Sequence, residues 1–199
     1  MGKYLGNKPS LAEAEYLDWV PISKVVLAGH TFATFSNITD DFDEYKFEFI
    51  NIHPGTNATI LSFQVNAVGA TGFNETITSG AFESEHNEAG DSTALQYRSN
   101  RDQDEDTAYQ QLGEYIYSDS AEKSGSGELI LFDPSSAYHK HWYSTFQAHG
   151  NAVSQVSYHA GYINTTTAID EIKFIMTAND MTASGIMEAG KITMYGLSK

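Results

Sequence analysis

Ile169-Asp170-Glu171-Ile172-Lys173-Phe174-Ile175-Met176 decides how this chain is read. On an extended backbone successive side chains point to opposite faces, so Ile172, Phe174 and Met176 share one face and Lys173 and Ile175 take the other. A strand with an apolar face has to bury it against a second layer. The alternation extends upstream through His159-Ala160-Gly161-Tyr162-Ile163 to Phe132-Asp133-Pro134-Ser135-Ser136. Downstream it closes on Gly190-Lys191-Ile192-Thr193-Met194-Tyr195-Gly196.

Segments of the same kind fill the rest of the chain. Residues 20–28, 30–36 and 45–52 are rich in β-branched and aromatic residues, with turn residues between them. In the last of these, Tyr45, Phe47 and Phe49 fall on one face, with Lys46 and Glu48 on the other. Residues 59–68 set Leu61, Phe63, Val65 and Ala67 against Ser62, Gln64 and Asn66. His53-Pro54-Gly55-Thr56-Asn57 reads as a turn, which predicts a hairpin between these two strands. Residues 69–92 are irregular, with scattered apolar anchors at Phe73, Ile77 and Phe82. Short strands are expected at 93–98 and 113–117, around the acidic segment 101–106, and residues 118–127 read as a polar loop. Further strands are expected at 128–132, 142–148, 153–162, 169–176 and 191–195. About ten strands with turn signals at sandwich spacing predict an all-β antiparallel β-sandwich, with a jelly roll as the expected version. No internal repeat or second core is evident, so one domain, 19–199, is expected to follow an arm, 1–18.

The arm has a different composition. Gly2, Gly6, Asn7 and Pro9 suit an extended segment. Ser10-Leu11-Ala12-Glu13 then fits a capping box, and Pro21 halts the helix that it opens. A helix of about two turns cannot hold itself together in water. It has to pack on its own domain or on a neighbour, which makes Tyr4, Leu5, Pro9, Leu11 and Leu17 the candidate anchors.

The 199 residues carry 26 acidic and 11 basic side chains, for a net charge of −15, and no cysteine. Disulfides, thiolate zinc sites and cysteine nucleophiles are therefore excluded. The negative charge repels phosphate backbones and anionic lipid, and no Lys or Arg patch offsets it, so neither nucleic acid nor membrane is an expected partner. No apolar run approaches the ~20 residues that a membrane span needs. The N-terminus carries no signal-peptide core, and Gly6 stands where a myristoylation signal needs Ser or Thr. Synthesis as a soluble protein in a cytoplasm is the expectation.

Candidate chemistry is sparse. His139-Lys140-His141 places two imidazoles on one side of an extended segment, short of the three or four ligands that zinc takes. His149 and His159 have no sequence relation to them, so no metal or other cofactor is expected. Asp102-Gln103-Asp104-Glu105-Asp106 opens like a calcium loop, but Thr107 and Gly113 stand where an EF-hand needs Gly and Glu. A solvated acidic loop is the plainer reading and an irregular calcium site the alternative; the same holds for Asp40, Asp41, Asp43 and Glu44. No nucleophile elbow or phosphate loop occurs. Among 26 acids some carboxylate pairs always arise by chance, so they do not by themselves mark a glycosidase. No catalytic residue is assigned. The N-x-S/T sequons at Asn37, Asn57, Asn74 and Asn164 carry no weight without a secretory signal.

Tyr138, His141, Trp142 and Tyr143, with His139, form an aromatic cluster after the Asp133-Pro134 turn. Aromatics with polar tips stack on sugar rings and also populate interfaces. Three readings stand: alternate members in the core, a subunit or partner interface, or glycan contact.

As a set, these motifs resemble β-sandwich structural proteins of tailed bacteriophages, found as capsid decorations, head fibres and tail-fibre heads. The matching pieces are Trp19-Val20-Pro21-Ile22, Tyr45-Lys46-Phe47-Glu48-Phe49, Leu131-Phe132-Asp133-Pro134-Ser135-Ser136, Thr166-Thr167-Ala168-Ile169-Asp170-Glu171-Ile172 and Met194-Tyr195-Gly196. Tyr4-Leu5-Gly6-Asn7-Lys8-Pro9 is similar to pieces that anchor phage fibres. The chain departs from the pattern where Ile186-Met187-Glu188-Ala189 separates Ala183-Ser184-Gly185 from the last strand. Residues 69–126 match no part of it. The resemblance implies a non-enzymatic virion protein, located on the particle. It would be a capsid decoration (cement) protein or head-fibre subunit held by its arm to the major capsid protein or another virion protein. It also implies a homotrimer. The alternative within the same family is a tail-fibre head that binds host surface glycan.

Overall fold

In the computed structural model the Ile169 segment forms the middle of a small sheet, and its apolar face meets a larger sheet across the core. The structure describes residues 18–197. The arm anchors Tyr4, Leu5, Pro9, Leu11 and Leu17 and the expected short helix lie outside the described residues. The strands are β1 (Trp19–Val26), β2 (Phe32–Ser36), β3 (Glu44–Pro54), β4 (Ile60–Ala67), β5 (Ile77–Asn87), β6 (Thr93–Tyr97), β7 (Gln110–Gln111), β8 (Gly125–Phe132), β9 (Lys140–His149), β10 (Val153–Ile163), β11 (Ile169–Thr177) and β12 (Met187–Leu197).

One sheet has eight strands in the order β1-β12-β3-β8-β9-β10-β5-β6, and the other has four, β2-β11-β4-β7. Every pairing is antiparallel. With β5, β6, β9 and β10 set aside, the remaining eight strands make two sheets of four, β1-β12-β3-β8 and β2-β11-β4-β7. The chain passes from sheet to sheet in jelly-roll order. The strands set aside are two hairpins, one inserted between β4 and β7 and one between β8 and β11. They lie side by side and extend one end of the larger sheet.

Phe174 sits at the centre of the core. Its ring lies 5.3 Å from Phe47, 5.1 Å from Phe49 and 6.1 Å from Phe35. Around these rings the inward residues of β3, β4, β8, β9, β11 and β12 are fully or almost fully buried. The buried phenol of Tyr45 donates to the Thr39 carbonyl at 3.0 Å and accepts from the Thr39 amide at 2.8 Å. That closure ties the β2–β3 connection to the core.

Several expectations need correction. β3 and β4 are not a hairpin: β3 pairs with β12 and β8, and β4 with β11 and β7. Residues 55–59 instead carry the chain across from one sheet to the other, a distinction that turn residues do not encode. The irregular stretch 69–92 contains the 11-residue strand β5. Its inward face carries Glu83 as well as Ile77 and Ala81, so no hydrophobic period announces it. The strand expected at 113–117 reduces to one bridge, Thr59 to Ile116, while the pairing residues are Gln110 and Gln111. β8 starts at Gly125, inside the expected loop, where a Cβ would run into the Phe146 ring. The last strand starts at Met187 rather than Lys191; residues 187–190 join it through two register shifts against β3. Gly190, with φ 112°, makes this possible, because a Cβ there would strike the Asn51 carbonyl.

The smaller sheet is too narrow to cover the larger one, so irregular chain completes the layer. Gln64 on β4 donates to the carbonyls of Glu75, Thr107 and Ala108 at 2.8–3.2 Å. Gln103, Gln110 and Gln111 donate to Ala108, Arg101 and Ala178. The segment expected as a solvated acidic loop thus has Arg101 and Gln103 buried, with Asp104, Glu105 and Asp106 turned outward.

Phe174→Ala should lower unfolding free energy by about 3–5 kcal/mol, the usual cost of emptying a buried phenylalanine site. Urea titration checks this, with the exposed Tyr138→Ala expected to stay within about 0.5 kcal/mol of wild type.

Candidate functional site

The outer face of the inserted hairpins carries the aromatic surface. Along β9 the side chains alternate, so His141 and Tyr143 point outward while Trp142 and Ser144 point inward. Trp142 is only 2% exposed, its ring 5.0 Å from Phe63 in edge contact. It is a core residue and leaves the candidate glycan or interface set. Tyr138, at 79% exposure, stands on the preceding loop. His139 stacks on Tyr162 at 5.4 Å, and His141 meets the same ring at 6.3 Å. The two imidazoles do share a side, gathered by a tyrosine. Among the described residues no three of His, Asp and Glu converge as a metal site would require.

Lys140 fixes the loop that presents Tyr138 and His139. Its buried ammonium donates to the carbonyls of Ser136 at 2.8 Å, Tyr138 at 2.5 Å and Thr165 at 3.3 Å. Burial lowers its pKa, and the Asp133 carboxylate partly offsets this.

Beside this corner lies a groove that no sequence signal announced. Register places Gly80 on β5 opposite Ala160 on β10, and Ala160 opposite Tyr143 on β9. In the next outward row Tyr97 on β6 faces Phe82 on β5, which faces Tyr158 on β10. Small residues in one row beside large ones in the next leave a trough of about 490 Å³, floored by Gly80 and Ala160 and walled by Phe82, Tyr97, Tyr143 and Tyr158. Phe82 and Tyr158 stack at 4.9 Å, nearly parallel. Tyr97 is 62% exposed and donates its hydroxyl to Asp102. That hydrogen bond raises the Tyr97 pKa; burial, followed by the carboxylates of Glu128 and Glu44, raises that of Tyr143. Both phenols are therefore held protonated. Of the four walls only Tyr143 belongs to the cluster read from sequence. Phe82, Tyr97 and Tyr158 are scattered over three strands, and only the register across β10, β5 and β6 gathers them.

On the opposite, inner face, part of β5 and β10 is polar where a core would be expected. Glu83 and His159 occupy neighbouring inward positions on β5 and β10, above Arg101 and Glu114. Glu114 takes a two-pronged bond from Arg101 at 2.9 and 3.1 Å and a second guanidinium from Arg98. Burial, helped by Glu114 and opposed by Arg98, pushes the Glu83 carboxyl up to about 7. Burial and the Arg101 charge push His159 down to about 3. Ser144 faces His159 across β9 and β10, yet neither side chain makes a hydrogen bond to the other, and both lie beneath the sheet. As placed they do not form a working nucleophile and base.

No protein-family model matches this sequence, and no curated protein matches it.

Glu83 and His159 together set a pH signature. Their ordinary values are 4.5 and 6.5. Between these limits the unfolded chain carries one proton, on His159, and the folded chain also carries one, on Glu83. The pair then contributes no slope. Below pH 4.5 the unfolded chain binds the extra proton, so stability falls as pH falls toward 3. Above 6.5 the folded chain keeps a proton that the unfolded chain has lost, so stability falls as pH rises to about 7. Glu83→Gln leaves His159 unbalanced. Its stability relative to wild type should climb from pH 4.5 to 6.5 by roughly 1.4 kcal/mol per unit. Urea unfolding at the two ends of the window checks this, and a constant gap would mean that Glu83 is ionised in the fold.

Proposed function

We propose that this chain is a non-catalytic structural and recognition module of a tailed-phage particle. Residues 1–18 hold it to the particle, and the sandwich presents its aromatic face to glycan on the host surface. The observation that carries the recognition role is the groove between Phe82, Tyr97, Tyr143 and Tyr158. These rings remain exposed on the outer face of the sheet and line one trough. Aromatic walls with polar tips suit sugar rings, whose C–H faces stack while their hydroxyls stay wet. The placement on phage particles rests on the resemblance in the strand motifs and the opening Tyr4-Leu5-Gly6-Asn7-Lys8-Pro9.

A second reading, a capsid decoration or head-fibre subunit assembled as a homotrimer, draws support from the other end of the large sheet. Among the described residues, edge strand β1 pairs on one side only, with β12, and it exposes Val20, Ile22 and Val26. An apolar edge of this kind suits packing against a neighbouring subunit or virion protein.

The two readings separate experimentally. Tyr158→Ala should abolish adsorption of the isolated protein to host cells and leave incorporation into particles intact. Deleting residues 2–17 should do the reverse, giving a folded domain that no longer associates with particles. Quantitative blotting of purified particles and a cell-adsorption assay read the two effects. Loss of incorporation in Tyr158→Ala would favour the decoration reading.

A further inference from the structure

From the shape and charge of the groove we infer that its ligand is an uncharged oligosaccharide, lying across strands β9, β10, β5 and β6 and held along its length rather than by a terminal sugar. This rests on the glycan reading above and narrows it.

Length comes first. The lining residues come from four adjacent strands, Tyr143 on β9, Ala160 and Tyr158 on β10, Gly80 and Phe82 on β5, and Tyr97 on β6. Three inter-strand spacings make a trough of about 14 Å, longer than one sugar ring. Its far end lies at β6, the last strand of the sheet, so a chain can run out over the edge. Tyr143, in the same outward row as the floor residues Ala160 and Gly80, bounds it at the β9 end, which leaves the β6 edge as the way out for a chain.

Charge comes second. Among the described residues no Lys, Arg, Asp or Glu lines the groove, and the one histidine in the lining, His159, faces inward and stays neutral by burial. The charges that act on its tyrosines are carboxylates: Asp102 on Tyr97, and Glu128 and Glu44 on Tyr143. A uronate, sialate or phosphate entering here would lose hydration with no cation to offset it, beside acids, on a chain of net charge −15. A cationic ligand finds no carboxylate in the lining; Asp102, which accepts the Tyr97 hydroxyl, is not part of it. What remains is aromatic face plus the hydroxyls of Tyr97, Tyr143, Tyr158 and Thr145. The hydroxyls of Tyr143, Tyr158 and Thr145 can both donate and accept, as a sugar hydroxyl does, while that of Tyr97, donating to Asp102, is left to accept.

The test is a titration of the isotope-labelled full-length chain, followed by NMR, with neutral hexose oligomers of glucose, mannose and galactose in increasing length. The corresponding monosaccharides and oligo-uronates run alongside. Neutral oligomers should shift groove resonances, with affinity rising over the first few sugars and then levelling, while monosaccharides and oligo-uronates leave the spectrum unchanged. Ala160→Trp fills the trough from an exposed position and should remove binding without lowering the unfolding midpoint. Phe82→Ala should weaken it roughly tenfold. Binding confined to oligo-uronates would overturn the inference and leave the glycan reading standing. Monosaccharides binding as tightly as oligomers would overturn the lengthwise mode. Failure of every sugar to shift the groove would overturn both this inference and the glycan reading.

Discussion

An eight-stranded sheet packed on a four-stranded one cannot be covered by its partner, and most of this structure follows from that inequality. Where the sheets face each other, the core is a cluster of phenylalanines centred on Phe174. Beyond β7, the edge of the smaller sheet, the inner faces of β5 and β10 continue with no sheet opposite among the described residues. The segment between β6 and β8 fills the gap, and irregular backbone can do so only if its amides and carbonyls find partners. Glutamines 64, 103, 110 and 111 supply them, and the Arg101–Glu114 pair supplies the bulk. Glu83 and His159 are left in a polar interior that shifts both from their ordinary titration ranges in opposite directions.

The jelly-roll part of the molecule was legible in the chain because its strands alternate cleanly. Ile172, Phe174 and Met176, or Leu61, Phe63, Val65 and Ala67, each mark one face with side chains of a single kind. β5 was opaque for the opposite reason: Glu83 faces inward and Phe82 outward. A strand whose two faces have exchanged their usual chemistry has no hydrophobic period to detect. The pairing of β3 with β12 and β8 was equally hidden, since a turn such as 53–57 looks the same whether the chain doubles back or changes sheet. Of the aromatic cluster, the sequence left open which alternate members face the core; the strand begins at the buried Lys140, and that phase turns Trp142 inward and His141 and Tyr143 outward.

The candidate site sits wholly on the two hairpins that are additional to the eight-stranded framework. β5–β6 and β9–β10 come from distant parts of the chain and meet along the β5–β10 ladder, which runs in unbroken register from Ile77 and Ile163 to Asn87 and Val153. The framework supplies rigidity and the additions supply the surface. The arrangement matches the general tendency of recognition to reside in elements carried by a stable scaffold. The same additions create the overhang whose inner face needs polar filling, so the exposed groove and the buried ion cluster are two sides of one ladder.

The pairing of β1 with β12, and the seat of β12 between β1 and β3, constrain how the molecule can come into being. As the chain leaves the ribosome, β1 has no partner and one edge of β3 stays bare until the last of the twelve strands has been made. Ile192 and Met194 of that strand also complete the wall around Phe47 and Phe49. The framework therefore closes after synthesis of β12 rather than during growth of the chain, with long-range pairing as its slow step. Until then the nascent chain shows both an open edge and an unfinished core. The period of greatest vulnerability to misassociation thus falls between translation of Glu44 and translation of Leu197.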